Sequence, residues 1–402
     1  MARSTPVRVW LVAAVVATAV LGASVVVIVG STSNGSPGGS PGSGGGGGGN
    51  PPHYAVVGSI QTIEVRNVTV GPWPSHVIYD AQSGMLYVTS EYSQTVSLVD
   101  PHPFHVSVVI NTGADARGLA LDSASHRLFV SNDNADNLTV INTSSNTILT
   151  TLDYAPLGNM VGVQLDPSTG QLLVLANNPP DSILSINPNT YNVTRILPID
   201  QNPGGGEDYG INATSHVLYF PARGDLAVTE IGELNGTSFA SIVMPGSEGP
   251  MSTFLDPLNG LLYVMLGGWL WMNPGNLGVV LNPATDQIVG TLHLGTWPDA
   301  YAYDPASELL FVACAASGNI SIINVSSNDV VGSIPLGNGT LPQSIAIDPA
   351  TGALYVTESG TGELVEVAPA NGPSTSVIPG PPAASGTPAF AARWTAPSRT
   401  TV

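Results

Sequence analysis

Short runs of alternating apolar and polar residues follow one another along most of the chain. Residues 300–337 show the arrangement clearly, with "AYAYD", "LLFVACA", "NISIINV" and "DVVGSIPLG" in succession. Alternation with a period of two is typical of half-buried strands, and the 3.6-residue period of a helical repeat is missing. The pattern therefore predicts units of four short strands each.

A turn motif fixes the length of these units. The stretch "DPATGALYVTES" at 348–359 has near-copies upstream, each with an Asp or Asn followed six or seven residues later by an apolar core such as "LYV" or "LFV". The side-chain oxygen of that residue can accept backbone N–H groups ahead of it and so open a tight turn. The seven openings are Asp80, Asp122, Asp166, Asn212, Asp256, Asp304 and Asp348.

The intervals between openings are 42, 44, 46, 44, 48 and 44 residues, which is the range of propeller blades. We therefore predict an all-β fold, a seven-bladed β-propeller of four-stranded antiparallel blades. Residues 63–70 are predicted to be an outer strand with no blade before it, and the last blade is its natural partner. Residues 375–379 compete for the same place, so the sequence leaves the closing terminus open.

The repeats also resemble a known family. Segments with "LYVTS" (86–90), "LFVSN" (128–132) and "LYVTES" (354–359), followed by "TVSLVD" or "NISIINV", are similar to the YVTN-type β-propeller repeat. The resemblance extends over residues 56–380, although units three to five depart from the pattern with "LLVLAN", "LYFPAR" and "LYVMLGG". It implies a seven-bladed fold like that of secreted and surface-layer proteins, archaeal ones above all. It also implies export and binding, and it brings no catalytic residues.

The N-terminal region predicts a membrane anchor. Arg3 and Arg8 precede a charge-free apolar run from Val9 to Gly30, which as a helix is long enough to cross a bilayer. The arginines place the N-terminus in the cytoplasm and the propeller outside. We expect a single-pass protein with a signal anchor or transmembrane helix at 1–30, a disordered Gly/Ser/Pro linker at 31–53, the propeller at 54–380 and a disordered tail at 381–402. If the apolar segment is instead a cleaved signal peptide, the protein is secreted.

The amino-acid composition limits the classes of partner that the protein is expected to bind. The net charge is −19, yet only 9% of residues are charged, with nine Arg and no Lys. A chain without a basic surface is not expected to bind nucleic acid. The single cysteine, Cys314, lies in an apolar run and is expected to be a small buried hydrophobe. An excess of N-x-S/T sequons agrees with export and glycosylation; the candidates in the propeller are Asn67, Asn137, Asn142, Asn192, Asn212, Asn235, Asn319, Asn324 and Asn338.

Candidate chemistry lies in the loops of one face, because loops that lead into the inner strands and turns that join the middle strands gather at the channel mouth. In register, the varied positions form a ring of Ser75, Arg117, Val161, Glu207, Met251, Asp299 and Gln343. Such a ring is expected if the face recognises a ligand, although loops also vary without function. The residues predicted to contact a ligand are His76, Arg117, Glu207, Asp208, Trp269, Trp271, Asp299 and Tyr301.

Neither a metal site nor a cofactor is predicted. The acidic turn "SNDNADN" lacks the spacing and the distal Glu of an EF-hand, and Asn and Asp are common in turns. His102 and His105 have no third ligand beside them. A nucleophile elbow and a phosphate-binding loop are also missing.

Two functions stay open. The first is a non-enzymatic, membrane-tethered propeller outside the cytoplasm that binds a protein, a glycan or an envelope component, or that serves as a structural part of the envelope. The alternative is an exported enzyme of the lyase, lactonase or dehydrogenase type, with its site at the channel mouth. For that role a mixed ring of His76, Arg117, Glu207, Asp208, Asp299 and Tyr301 could supply acid–base groups.

Overall fold

The computed structural model describes residues 23–27, 61–113, 115–177, 181–199, 208–269 and 273–369. Regular structure in these ranges consists of 29 strands and four short 3-10 turns. The 3-10 turns are Ser123–Ser125, Asp133–Ala135, Ala155–Leu157 and Arg223–Asp225.

The strands follow the chain blade by blade. The two strands that precede the first complete blade are β1 (Ala23–Val27) and β2 (Gln61–Thr69). Blade 1 holds β3 (Pro74–Asp80), β4 (Met85–Ser90), β5 (Thr95–Pro101) and β6 (Phe104–Asn111). Blade 2 holds β7 (Ala116–Asp122), β8 (Arg127–Asn132), β9 (Asn137–Asn142) and β10 (Thr147–Asp153). Blade 3 holds β11 (Asn159–Leu165), β12 (Leu172–Asn177), β13 (Ser182–Ile186) and β14 (Val193–Pro198).

The second half continues in the same order. Blade 4 holds β15 (Gly210–Asn212), β16 (Val217–Ala222), β17 (Ala227–Gly232) and β18 (Ser238–Val243). Blade 5 holds β19 (Ser252–Leu255), β20 (Leu262–Trp269), β21 (Asn273–Asn282) and β22 (Gln287–His293). Blade 6 holds β23 (Pro298–Asp304), β24 (Leu309–Cys314), β25 (Asn319–Asn324) and β26 (Asp329–Pro335). Blade 7 holds β27 (Pro342–Ile347), β28 (Leu354–Glu358) and β29 (Glu363–Pro369), together with β2.

The blades are antiparallel sheets whose strands run in order from the channel to the rim. The predicted all-β fold of seven four-stranded blades is thus confirmed. Second and third strands are buried on both faces because each blade is sandwiched between two neighbours, whereas outer strands such as β10 are mostly exposed. One apolar cluster fills each of the seven seams between adjacent blades. Cys314 is fully buried in the seam between blades 5 and 6, as a small hydrophobe would be.

The repeated Asp opens the first hairpin of a blade, as its sequence predicted. In blade 7 the Asp348 Oδ1 accepts the Ala350 N–H at 2.9 Å, and the Thr351 hydroxyl donates to Oδ2 at 2.6 Å. Blade 6 repeats these contacts around Asp304, at 3.0 and 2.6 Å. Because its oxygens are satisfied within the turn, the carboxylate can be buried at little cost. The motif that recurs most along the chain is therefore structural.

The N-terminal strand closes the ring. β2 pairs antiparallel with β29, with Ile63 opposite Pro369 and Thr69 opposite Glu363. The Arg66 guanidinium forms an ion pair with the buried Glu366 carboxylate. The chain therefore supplies the outer strand of blade 7 from its beginning, and the competing segment 375–379 lies outside the described residues.

The predicted anchor, linker and tail fall largely outside the described residues. Within them, no helix is long and apolar enough to span a membrane. Five residues of the predicted 1–30 helix are described, and they form β1, which pairs antiparallel with β2 at the rim of blade 7. For these five residues the structure has a strand where the sequence predicted a helix. The linker at 31–53 and the tail at 381–402 are not among the described residues.

Candidate functional site

The loops that lead into inner strands and the turns that join second and third strands meet on one face, which we call the mouth face. In blades 1, 2, 6 and 7 the residue just before the inner strand has a φ between 47° and 59°. Its carbonyl accepts an N–H from the middle turn of the same blade at 2.8 to 3.1 Å. The bonded pairs are Trp73 with Glu91, Asp115 with Asp133, Trp297 with Ala315, and Leu341 with Ser359. These contacts confirm that the two predicted sets of loops lie together.

Five of the seven inner strands carry a β-bulge at the predicted ring. The pairing register shifts at the start of β3, β7, β11, β23 and β27. A bulge takes residues out of the ladder and redirects their side chains, and it is common next to binding sites. The residues skipped by the register are Ser75–His76, Arg117–Gly118, Val161, Asp299–Ala300 and Gln343.

Buried hydroxyl groups hold the bulges in place and join one blade to the next. The Thr89 Oγ1 accepts the His76 N–H at 3.0 Å in its own blade and donates to the Arg117 carbonyl of blade 2 at 2.6 Å. The Ser131 hydroxyl likewise accepts the Gly118 N–H at 2.8 Å and donates to the Val161 carbonyl of blade 3 at 3.2 Å. We call these contacts the hydroxyl links.

A third hydroxyl link joins the last blade to the first. The Thr357 Oγ1 accepts the Ser344 N–H at 3.0 Å and lies 3.3 Å from the Ser75 carbonyl, to which it donates. Thr89, Ser131 and Thr357 are the residues that follow "LYV", "LFV" and "LYV" in the repeat. Sequence reasoning did not assign these hydroxyls a role, although a polar residue at the end of a buried run was a usable signal.

Arg117 joins two middle turns across the mouth face. Its guanidinium lies 2.9 Å from the Asp133 carboxylate of its own blade and 3.6 Å from the Glu91 carboxylate of blade 1. All three side chains are largely shielded, with 30%, 20% and 18% of their surfaces exposed. Asp133, in the turn considered for calcium, is thus bonded to a cation of the protein. The described residues contain no group of three or more His, Cys, Asp or Glu arranged to hold a metal.

The other predicted ligand residues occupy different surroundings. The Tyr301 hydroxyl donates to the Thr253 carbonyl at 3.1 Å, and its ring packs 5.2 Å from that of Phe254 in the seam between blades 5 and 6. Burial, reinforced by the charge of Asp208, raises the pKa of Tyr301 above its ordinary value. Tyr301 was predicted to face a ligand at the mouth, and its side chain instead packs between blades.

His76 and Asp299 lie in two of the bulges, in blades 1 and 6. Asp208 precedes β15 and forms a parallel bridge with Ser252 of blade 5. Trp269 is the last residue of β20, but its side chain, Trp271 and Glu207 lie outside the described residues. His76, Arg117 and Asp299 thus lie in bulges of the mouth face, and their contact with a ligand stays a prediction.

Sequence reasoning missed an aromatic cavity between the mouth loops of blades 7 and 1, which we call the seam cavity. It has a volume of about 470 Å³. The Trp73 and Tyr92 rings form one wall, stacked with centroids 5.5 Å apart and planes inclined by 28°. The other lining residues are Pro72, Leu341, Ser359, Thr361 and the glycines at 339, 360 and 362. Trp73 and Tyr92 lie in the two mouth loops of one blade. This pair of aromatic residues was the signal in the sequence from which the cavity could have been predicted.

The sequons occupy varied surroundings. Asn67, Asn192, Asn235 and Asn338 are exposed, whereas Asn324 is buried and its Oδ1 accepts the Ser326 N–H at 2.9 Å. Asn192, Asn235 and Asn338 stay the better glycosylation candidates, because a glycan needs an accessible amide nitrogen and the Asn67 Nδ2 donates to the Glu363 carboxylate.

A second polar cluster lies on the opposite face, which we call the base face, between blades 3 and 4. The Thr169 hydroxyl contacts both the Asp166 carboxylate and, at 3.0 Å, the Glu233 Oε1. The His216 Nδ1 lies 3.5 Å from the Glu233 Oε2 and 3.3 Å from the Ser168 hydroxyl. Both contacts use the same nitrogen, so His216 cannot relay a proton from Ser168 to Glu233 as in a hydrolase triad.

Burial and mutual hydrogen bonding shift the pKa values of the two carboxyl groups of this cluster in opposite directions. Burial raises the pKa of Glu233, and the hydrogen bond and charge of Asp166 add to the effect. Burial acts in the same direction on Asp166, but its hydrogen bonds with Glu233, Thr169 and Ser168 outweigh it and lower the pKa of Asp166. Because Thr169 has one proton to donate to two carboxyl groups, the second contact is favourable when one carboxyl is protonated. Of the two carboxyl groups, Glu233 is the one whose pKa is raised and which therefore binds a proton more readily.

The chain was compared with known proteins at the level of sequence and of structure. No protein-family model matches it, and no curated protein matches it in sequence. Among solved structures it is similar to hydrazine synthase of Kuenenia stuttgartiensis, with 14% identity and a TM-score of 0.63. The match covers 75% of this chain and 97% of that chain. At this identity the likeness shows a shared propeller fold and nothing about the reaction.

Proposed function

We propose that this protein is an extracytoplasmic, membrane-tethered propeller of the YVTN type that recognises a ligand at its mouth face. The observation that carries the proposal is the ring of five bulges. Main-chain and hydroxyl contacts that support the bulges recur from blade to blade, whereas the side chains at the bulges differ in charge and size. A constant support with a varied ring is the arrangement expected of a recognition surface.

The path of the chain favours display of the mouth face. β2 runs from the base face to the mouth face, because its last residue, Thr69, pairs with Glu363 next to the middle turn of blade 7. β29 runs the other way and ends at Pro369 on the base face. The chain therefore enters β2 and leaves β29 at the base face. A membrane tether attached there leaves the mouth face accessible from outside.

The enzyme alternative has lost support at two of its candidate groups. The Arg117 guanidinium is bonded to two carboxylates, and the Tyr301 hydroxyl is bonded to a main-chain carbonyl. A general acid or base must reach the substrate with its proton available for transfer. The similarity to an enzyme of 14% identity adds no support, because propellers of one shape host many unrelated functions.

A binding experiment with a ring variant tests the proposal. The full chain in detergent would be applied to a glycan array and to solubilised envelope material, beside a variant carrying His76→Ala, Asp299→Ala and Gln343→Ala. We expect the variant to lose binding by about tenfold or more while its thermal unfolding stays cooperative. The control is Leu258→Ala, a residue 64% exposed in a turn of the base face. Equal binding by the ring variant and the wild type would overturn the proposal.

A further inference from the structure

The seam cavity contains an aromatic surface that packing does not account for. Tyr92 stacks on Trp73, yet 67% of its surface is exposed to solvent. An aromatic ring left this exposed forgoes most of the burial that usually stabilises it. Its position at the edge of a cavity, beside a second ring, marks a surface on which a flat apolar group can stack.

Trp297 provides an internal reference for this interpretation. It occupies the same loop position as Trp73 and has nearly the same φ, 59° against 55°. Its ring lies against Gly267, where a Cβ would come within 2.7 Å of the Trp297 Cδ1. Trp297 thus fills a space inside its own seam. Trp73 instead carries an exposed second ring beside a cavity, so the loop geometry alone does not explain the aromatic pair.

The residues that line the seam cavity disfavour a charged ligand. None of the nine lining residues carries a charged side chain, in a protein of net charge −19. A ligand ion would lose hydration here without gaining a partner of opposite charge from the lining. The ligand that fits is therefore uncharged and has an apolar face.

The polar groups of the lining are suited to hydroxyl donors. The Ser359 hydroxyl donates to the Leu341 carbonyl at 3.1 Å, and the Thr361 Oγ1 donates to the Glu358 carboxylate at 3.0 Å. Since each hydroxyl has one proton and uses it inside the protein, its lone pairs are what remain for a ligand. A ligand that donates O–H groups next to an apolar face is complementary to this lining.

We propose that the seam cavity binds a pyranose unit of a neutral glycan, with the apolar face of the sugar on the Trp73–Tyr92 pair and its hydroxyls on Ser359 and Thr361. This inference rests on the proposed recognition function and names the ligand class. A proline-rich peptide is the other common partner of exposed aromatic residues, and it docks between separated aromatic ridges. Here the two rings are stacked into one surface, which suits a single ring better.

Titration calorimetry of the full chain in detergent tests the assignment. The probes are cellohexaose, maltohexaose and mannohexaose, with a sulfated oligosaccharide and decaproline as the competing classes. We expect saturable binding of at least one neutral hexasaccharide. Tyr92→Ala should weaken it about tenfold, as expected for the loss of one stacking surface. Tyr92→Phe retains the ring and should bind within about twofold of the wild type. Leu258→Ala removes an equally exposed apolar side chain from the base face and should bind as the wild type does.

Several results would overturn the assignment. They are binding of none of the neutral hexasaccharides, binding of decaproline or the sulfated oligosaccharide alone, and unchanged binding by Tyr92→Ala. Failure here is distinguishable from failure of the proposed function. If the ring variant loses an envelope ligand while Tyr92→Ala keeps it, the mouth face still recognises a ligand and the glycan assignment alone is wrong.

Discussion

The hydroxyl of Thr89 donates to the main-chain carbonyl of Arg117 at 2.6 Å, across the seam between blades 1 and 2. The same oxygen accepts the N–H of His76 at 3.0 Å within blade 1. The buried Thr89 side chain thus bonds to a main-chain N–H of the bulge in its own blade and to a main-chain carbonyl of the bulge in the next blade. The positions of neighbouring ring residues are therefore coupled through the threonine of the repeat.

Replacing Thr89 by valine should destabilise the propeller while keeping its shape. Valine matches threonine in volume, but the buried His76 N–H and Arg117 carbonyl each lose a partner, at an expected cost of about 1–3 kcal/mol. Urea unfolding of wild type and variant measures the difference. Thr151→Val on the exposed side of β10 is the matched control and should change stability by less than about 0.5 kcal/mol. Equal losses in the two variants would contradict a special role for the hydroxyl link.

The Asp166–Glu233 cluster should make stability depend on pH. The pKa of Glu233 is raised in the folded protein, so the folded state binds a proton more tightly than the unfolded state. This contribution is fully present below the ordinary pKa of Glu and is lost as pH rises through the raised value. Glu233→Gln keeps the shape and cannot lose a proton. Relative to wild type, it should therefore gain stability as the pH rises from 4 to 8.

Unfolding midpoints at several pH values test this expectation. Asp329→Asn removes the same charge from an exposed position at the end of a base-face turn, and it controls for net charge alone. If both variants gain equally with pH, repulsion across the whole protein explains the effect and the cluster does not.

Removing β2 should open the ring. A chain that begins at residue 54 loses β1 but retains β2, and it serves as the reference for the shorter chain. A chain that begins at residue 72 loses β2 and Val70, and with them the apolar contacts of Val65, Val68 and Val70 with blade 7. Three such side chains are worth at least about 3 kcal/mol of unfolding free energy. Equal stability of the two chains would mean that another segment, such as 375–379, can close the ring.

Sequence reasoning predicted what the repeat determines locally. The Asp348 turn and the "LYV" core follow from side-chain chemistry within a dozen residues, so the blade count and strand order were accessible. The closing strand was not, because 63–70 and 375–379 have similar β patterns and only packing distinguishes them. The bulges could not be predicted either. A bulge places two residues opposite Thr89 instead of one, and this depends on the pairing register, which the local sequence does not determine.

The repeat register predicted where the ring residues lie, and their contact with a ligand stays a prediction. The ring residues His76, Arg117 and Asp299 do fall at bulges of the mouth face, because the repeat register places them there. Tyr301, two residues further along its strand, was assigned to the mouth although its ring packs between blades. The Trp73–Tyr92 pair was overlooked because its members lie in two different loops that meet only in the folded blade.

Closure by β2 also sets the order in which the molecule can be completed during synthesis. Asn67 bonds to Glu363, 296 residues later, at 2.9 Å, so the first propeller strand to be made waits for nearly the whole domain before it finds its partner. Until β27 to β29 have been synthesised, blade 7 cannot form, and the edge of β2 that pairs with β29 has no partner. A chain that ends before β29, by premature termination or proteolysis, therefore cannot form this pairing. Pairing of β2 with β29 therefore reports that synthesis has passed Pro369.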